Sequence, residues 1–136
     1  MDKTKHLEFI QNIINRMANN SFILKGWSVT LVTGIIGFSL KSSVTNLIYL
    51  ALLPALIFWG LDAYYLRQER LFRKLYNHVI KKHSKNLEQF LLDTNLIKNE
   101  VDSWFCTMFS PTLLFLHGTI IFVIVIIGIL RGNQIW

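Results

Sequence analysis

Three ionisable side chains lie inside long apolar stretches of the sequence: Lys25, Asp62 and His117. An ionised group at the centre of a bilayer costs about 2.5 to 3.5 kcal/mol on insertion scales, and a facing opposite charge offsets part of that cost. Counted at about 1.5 Å per residue from the predicted inner boundaries, the three lie at depths of about 7, 6 and 10 Å, and so share one layer. We expect Lys25 to pair with Asp62, with His117 hydrogen-bonded to either.

Each of the three residues also has a simpler interpretation. Lys25 can reach a lipid phosphate, Asp62 can contact Arg67 or water, and His117 can bond to a backbone carbonyl. A proton relay or gate is a third interpretation of the same trio. The sequence leaves the choice among them open.

The remaining histidines and the single cysteine form no recognised metal-binding pattern. His6, His78 and His83 lack ligand spacing, and Cys106 has no CxxC partner. The sequence also contains neither a Gly-rich phosphate loop nor a GxSxG motif. We therefore expect no metal, no cofactor, no catalytic residues and no enzymatic activity.

The elements that position the three ionisable residues are the apolar stretches 21–40, 44–66 and 111–130. Each is long enough to cross a hydrocarbon layer about 30 Å thick as a helix. The composition, 52% hydrophobic and 16% charged, is too apolar for an ordinary small soluble domain. The sequence predicts an all-α integral membrane protein, with three transmembrane helices in a single domain over 1–136.

Basic residues are concentrated on one side of these stretches. Of the 14 Lys and Arg residues, only Lys41 and Arg131 are predicted to lie on the opposite side from the rest. Because cytoplasmic loops are enriched in Lys and Arg, we expect a cytoplasmic N-terminus and an outer C-terminus. The net charge of +6 comes without an aromatic-interleaved basic motif, so nucleic acid is not an expected partner.

Two regions outside the spans are predicted to be helical. Residues 1–20 have the apolar spacing of an amphipathic helix that either lies on the inner membrane surface or packs on another helix. Asn19, Asn20 and Ser21 then suit a bend and a new helix start. The second span is predicted to continue to about Lys82, and region 67–107 to form a cytoplasmic helical hairpin. The apolar stripe of that continuation comprises Leu61, Tyr65, Phe72, Leu75 and Val79.

The basic side chains of the hairpin region are predicted contacts for anionic lipid or for a soluble cytoplasmic protein. They are Arg67, Arg70, Arg73, Lys74, Lys81 and Lys82.

Small residues recur at helical spacing in the first span, where they predict a surface on which another helix packs closely. They are Gly26, Thr30, Thr33, Gly34 and Gly37. The alternative is a hydroxyl-lined conduction path through Ser28, Thr30, Thr33 and Ser39.

Two prolines indicate local features of the other spans. Pro54 predicts a kink near the middle of the second span, either as a static bend or as a gating hinge. Ser110 and Pro111 fit the N-cap and first position of the third helix.

Three strings carry a resemblance to known proteins: FWGLDAYYLRQERLFRKLY at 58–76, INRMANNSFILKGW at 14–27 and VDSWFCTMFSPTLL at 101–114. With them, the chain resembles small bacterial multi-spanning membrane proteins. The plan of a span hairpin that continues into a cytoplasmic helix is similar to membrane effectors of anti-phage signalling systems, although the third span departs from that plan. The resemblance implies a bacterial inner-membrane location and membrane disruption controlled by a partner.

Two functional hypotheses follow from the sequence. The first is an oligomeric, membrane-perturbing effector or channel-like component in the lipid bilayer, controlled by a partner, with phage defence as its setting. The second is a passive anchor or scaffold that recruits a soluble protein through its basic cytoplasmic helices.

Overall fold

The computed structural model describes residues 3–81, 92 and 94–133, and every regular element in them is helical. The α-helices are α1 (Lys3–Lys41), α2 (Leu52–Lys81), α3 (Trp104–Met108) and α4 (Pro111–Gly132). Shorter 3₁₀ segments cover Thr45–Ala51, Thr94–Leu96 and Lys98–Glu100. Three helices in this part of the chain are long and apolar enough to cross a membrane. The all-helical class with three such helices, as the sequence predicted, is confirmed.

Helix α1 runs without interruption from the amphipathic segment into the first apolar stretch. The new helix start predicted at Asn19–Ser21 is therefore wrong. Ile14, Ser21 and Ser28 are all buried and lie seven residues apart, so they fall on one face of the helix. The same face of α1 packs on the rest of the chain in both halves, and a continuous helix keeps it in register.

Helix α2 packs antiparallel to α1, as the three residues that separate the stretches 21–40 and 44–66 require. Lys3 Nζ donates to the Ile80 carbonyl at 3.3 Å, whereas Lys25, further along α1, pairs with Asp62, earlier in α2. The 15-residue part of α2 beyond Leu66, which reaches Lys81, agrees with the predicted end near Lys82, which itself lies outside the described residues.

Pro54 lies near the start of α2 rather than within a continuous α-helix, and the kink expected there stays a prediction. The residues before α2 form a seven-residue 3₁₀ helix, Thr45–Ala51, and Pro54 lies in the first turn of α2. Backbone N–H groups in a first turn lack intrahelical acceptors, so a proline is tolerated there without breaking the helix.

The parts of α1 and α2 outside the apolar stretches form a paired helical extension, which we define as residues 3–20 and 67–81. Its core is a cluster of Ile10, Ile14, Leu75, Val79 and Ile97. The N-terminal part of α1 thus packs on a helix of its own chain, the second of its two predicted placements. Leu61, assigned to the apolar stripe of α2, is instead 42% exposed.

The segment after the extension returns antiparallel along α2, as expected, but not as a helix in its described part. Between Thr94 and Ser103 it forms two 3₁₀ turns and non-helical backbone, so a helical second arm is wrong for these residues. Residues 82–91 and 93, which held the rest of that prediction, lie outside the described residues. Trp104 Nε1 donates to the Gly60 carbonyl at 3.0 Å and holds α3 against α2.

Helix α4 begins at Pro111 after the extended Ser110, which confirms the predicted start. At its other end, Arg131 donates to the Ser39 carbonyl and hydroxyl and, at 2.7 Å, to the Ser42 carbonyl. A guanidinium at the C-terminal end of α1 satisfies carbonyls that have no helical partner. Nearby, Gly128 lies so close to Tyr49 that an added Cβ would be 2.8 Å from the phenol ring. Both contacts fasten α4 to the end of the α1–α2 hairpin.

Candidate functional site

A buried polar cluster joins α1, α2 and α4 around the carboxylate of Asp62, whose side chain is 0% exposed. Lys25 Nζ lies 2.8 Å from Oδ2 and 2.9 Å from Oδ1. His117 Nε2 lies 2.9 Å from Oδ2, and the Ser21 hydroxyl donates to Oδ1. Lys25 also donates to Ser21 Oγ at 2.6 Å. The structure therefore brings together the three residues that the depth argument selected, and adds Ser21.

Local helix geometry explains why these side chains meet. Ser21 and Lys25 are four residues apart on α1, so they lie on one face, one turn apart. Asp62 follows Trp59 on the buried face of α2, and His117 lies in the second turn of α4, directly behind the apolar anchor Leu113. Each helix thus supplies its polar atoms from a face that is otherwise apolar and packed.

The charges of the cluster balance when His117 is neutral. An ionised Asp62 carboxylate can only accept hydrogen bonds, so a neutral His117 is assigned the tautomer that carries its proton on Nε2. Among the described residues, its buried Nδ1 has no hydrogen-bond partner. The imidazole stacks on Trp59 at 6.1 Å with an interplanar angle of 11°, and Trp59 Nε1 donates to the Met108 carbonyl. The cluster then holds one cation and one anion, and each carboxylate oxygen contacts two polar groups.

This arrangement favours a fixed polar clamp over separate side chains that each seek water or lipid. Lys25 is directed to Asp62, and Arg67 donates to the Asp102 carbonyl rather than to Asp62. The lysine side chain keeps 27% exposure, so it reaches the protein surface while its ammonium stays paired. Removal of one partner from such a pair leaves an uncompensated charge, which makes the cluster a strong determinant of helix assembly.

The cluster is poorly suited to nucleophilic catalysis. The base beside Ser21 is the Asp62 carboxylate, and its ion pair with Lys25 makes it a weak acceptor for the serine proton. His117 contacts the carboxylate and not the serine. Within residues 3–81, 92 and 94–133, no group of three His, Cys, Asp or Glu side chains is placed to hold a metal ion.

The small-residue stripe of the first span faces away from the other helices of the chain. An added Cβ at Gly26, Gly34 or Gly37 would meet no described atom within 4 Å. Thr30 and Thr33 are also exposed, and the Thr30 hydroxyl bonds to the Gly26 carbonyl of its own helix at 2.9 Å. The helix-packing residues are thus brought together as one open surface, which we call the α1 glycine face.

The alternative hydroxyl path is not assembled within one chain. Ser28 and Ser39 are fully buried against the other helices, whereas Thr30 and Thr33 lie on the exposed side of α1. Ser39 is moreover occupied by Arg131. These four hydroxyls therefore line no common path.

The predicted basic contact residues lie along the extension in differing surroundings. Arg67 is bound to the Asp102 carbonyl, and Arg73 forms a 2.7 Å pair with Glu69 on the same helix. Among the described residues, Arg70 and Lys74 form long ion pairs, of 3.8 and 4.0 Å, with Asp102 and Glu100 of the return segment. Lys81 is exposed, and Lys82 lies outside the described residues.

Sequence reasoning missed two polar contacts that hold the helices. Ser21 was assigned as a helix cap, although its position one turn before Lys25 already placed it on the lysine's face. In the sequence, Arg131 bears only on the predicted orientation of the chain. In the structure, it caps α1 through Ser39 and Ser42. The available signal was that Arg131 and the end of the first apolar stretch are both predicted to lie on the outer side of the membrane.

No family model, curated protein or solved structure matches this chain.

Replacement of Asp62 by Asn is expected to destabilise the helix bundle. The change leaves Lys25 without a counter-charge, and we expect a loss of about 2 to 3 kcal/mol, below the 3–5 kcal/mol of fully buried pairs because Lys25 is partly exposed. Thermal unfolding in detergent measures the loss. The matched control is Glu69→Gln, which breaks the i,i+4 pair with Arg73; the partner guanidinium stays 60% exposed to water, so the change should cost less than about 1 kcal/mol.

A double variant separates the charge effect from general damage. Lys25→Met added to Asp62→Asn should recover part of the lost stability, because no unpaired charge then remains. Equal stability of the wild type and Asp62→Asn would eliminate the clamp.

Proposed function

We propose that this chain is a bacterial inner-membrane protein whose three apolar helices cross the bilayer and whose copies self-associate through the α1 glycine face. The oligomer perturbs the membrane, or acts as a channel-like component, when a partner switches it. The observation that carries the proposal is the open position of Gly26, Gly34 and Gly37.

Glycine is an unfavourable choice in a helix interior unless close approach requires it. Each glycine costs about 0.8 to 1.0 kcal/mol relative to alanine in a helix. Among the described residues, the space around all three positions would accommodate a methyl group, so packing within this part of the chain does not account for the glycines. Contact with another helix does, because association within lipid depends on close van der Waals packing at small residues.

Self-association is also what permeation would require. The interior between the helices is filled by buried side chains, including Val32, Ala55 and Ile124 near one end and the Asp62 cluster near the other. Three packed helices of this kind enclose no conduit. Any path for ions would therefore form between chains, next to the α1 glycine face.

The proposed setting, a response to phage infection, comes from the resemblance in plan to anti-phage membrane effectors. The partner would be a soluble cytoplasmic protein that contacts the extension. Neighbouring genes test this part directly: an adjacent sensor or nuclease gene agrees with it, and an unrelated metabolic operon contradicts it.

A passive anchor is the second candidate, and the extension favours it. Helix α2 continues 15 residues past Leu66 to Lys81, which is about 22 Å at 1.5 Å per residue. Paired with α1, it presents a rigid basic surface on which a soluble protein can dock. An anchor needs no change in membrane permeability, which distinguishes the two candidates.

The proposed orientation places the extension in the cytoplasm and the carboxyl end outside. Alkaline phosphatase gains activity only where its disulfides form, outside the inner membrane. A fusion at the carboxyl end should be active, and a fusion after Lys81 should be inactive. An active Lys81 fusion would contradict the proposal: either the orientation is reversed, or the apolar helices do not cross the membrane as proposed.

Controlled expression with a membrane-potential dye tests the effector hypothesis. We expect overexpressed wild-type protein to depolarise cells without its partner, because high density in the membrane favours self-association by mass action. Gly34→Leu should abolish the effect, because a leucine blocks close approach on the α1 glycine face. Gly132→Leu is the matched control, since a Cβ added at Gly132 also meets open space but Gly132 lies outside the α1 glycine face.

Cross-linking in the same cells reports oligomers separately from depolarisation. Loss of both signals in Gly34→Leu, with both kept in Gly132→Leu, is the expected pattern. Wild-type protein that leaves the potential unchanged, at equal membrane abundance, favours the anchor.

A further inference from the structure

A cleft of about 480 Å³ lies between the α2 part of the extension and the returning segment. Its α2 wall presents two arginines, a lysine and an asparagine, and its opposite wall presents two carboxylates. The residues are Arg70, Arg73, Lys74 and Asn77 on α2, with Glu100 and Asp102 opposite. Positions 70, 73, 74 and 77 have the spacing of one helix face, so their donors converge on the same space.

The ion pairs across the cleft are long and exposed. Arg70 lies 3.8 Å from Asp102, and Lys74 lies 4.0 Å from Glu100. The two carboxylate side chains are 71% and 57% exposed. Exposed pairs of this kind contribute about 0 to 1 kcal/mol. They hold the cations in place but leave them available to a stronger acceptor.

A phosphate group is the acceptor that best matches these donors. Arginine binds phosphate through two parallel N–H donors at about 2.7 to 2.9 Å, closer than the 3.8 Å contact that Arg70 makes with Asp102. Lys74 adds a second charge one turn away, and the Asn77 amide adds a neutral donor. The cleft lining carries three cations against two carboxylates, and residues 67–81 as a whole carry five Lys and Arg against one Glu, so the net local charge is positive.

The position along α2 favours a soluble source for that phosphate. Lys74 lies eight residues beyond Leu66, about 12 Å along the helix. The headgroup layer adds only about 5 to 8 Å on each side of the hydrocarbon. A cleft of this volume is also within the usual size of small-molecule sites, about 300 to 1,000 Å³.

We propose that this cleft binds the phosphate groups of a soluble anionic ligand. Arg70 and Lys74 supply the charge contacts, Asn77 supplies a neutral donor, and Glu100 and Asp102 are internal competitors that the ligand displaces. The site lies outside the apolar stretches, so it holds whether or not the chain self-associates.

Calorimetric titration with inorganic pyrophosphate tests the site in the full-length protein. The protein is placed in nanodiscs of phosphatidylcholine at low salt, where charge contacts are least screened. Wild type should bind saturably, and Arg70→Gln and Lys74→Gln should each weaken binding about tenfold, as expected for a lost charged hydrogen bond. Arg16→Gln is the matched control, because it removes the same charge from the exposed α1 side and should change affinity less than twofold.

The acidic wall gives a prediction of opposite sign. Glu100→Gln and Asp102→Asn should tighten pyrophosphate binding several-fold, since each removes a competitor for the cations. These residues are exposed, so circular dichroism should show folded protein for every variant. Absence of saturable binding by wild type, or weaker binding in both acidic variants, overturns the proposal.

A second set of nanodiscs identifies the source of the phosphate. In discs that contain phosphatidylglycerol, the pyrophosphate affinity should change only by the general effect of the anionic surface. The affinity change of Arg16→Gln in the same discs measures that general effect. Specific loss of binding in those discs, with full binding in neutral discs, would overturn the soluble source and assign a lipid headgroup.

Discussion

The three long helices are held together by one carboxylate. Asp62 accepts hydrogen bonds from Ser21 and Lys25 of α1 and from His117 of α4, while its own side chain is completely buried. In a lipid environment, apolar side chains discriminate weakly between contact with a helix and contact with a lipid tail. A buried charge does discriminate, because only one arrangement of helices satisfies it. The cluster therefore fixes which faces of α1, α2 and α4 meet.

Apolar packing then extends the arrangement in both directions from the cluster. Toward one end, Tyr49 packs on Gly128 and Arg131 closes the α1 terminus. Toward the other, α1 and α2 continue as a pair around Ile10, Ile14 and Val79. The faces left over differ in character: the α1 glycine face is uncharged and made of small residues, and the extension is basic. The proposals above place self-association on the first and ligand or partner contact on the second.

Much of this arrangement follows from the sequence because it depends on length and depth. Counting residues from the ends of the apolar stretches placed Lys25, Asp62 and His117 in one layer, and their contact needs little else. The start of α4 and the end of α2 depend on local signals of the same kind.

The missed features depend on which of two local solutions the tertiary contacts select. Ser21 suits a helix cap by propensity, but its hydroxyl bonds to Asp62 and the helix continues. Pro54 disfavours an α-helix before it, yet only the packed structure shows that a 3₁₀ segment relieves the conflict. The cleft on the extension depends on the path of residues 98–103, which no periodicity reveals.

The most direct test of the account is solid-state NMR of the protein in lipid bilayers, labelled at the Asp62 carboxyl carbon and at the His117 and Lys25 side-chain nitrogens. The account predicts through-space correlations from the carboxyl carbon to both His117 Nε2 and Lys25 Nζ, and a carboxyl carbon that correlates only with water would contradict it.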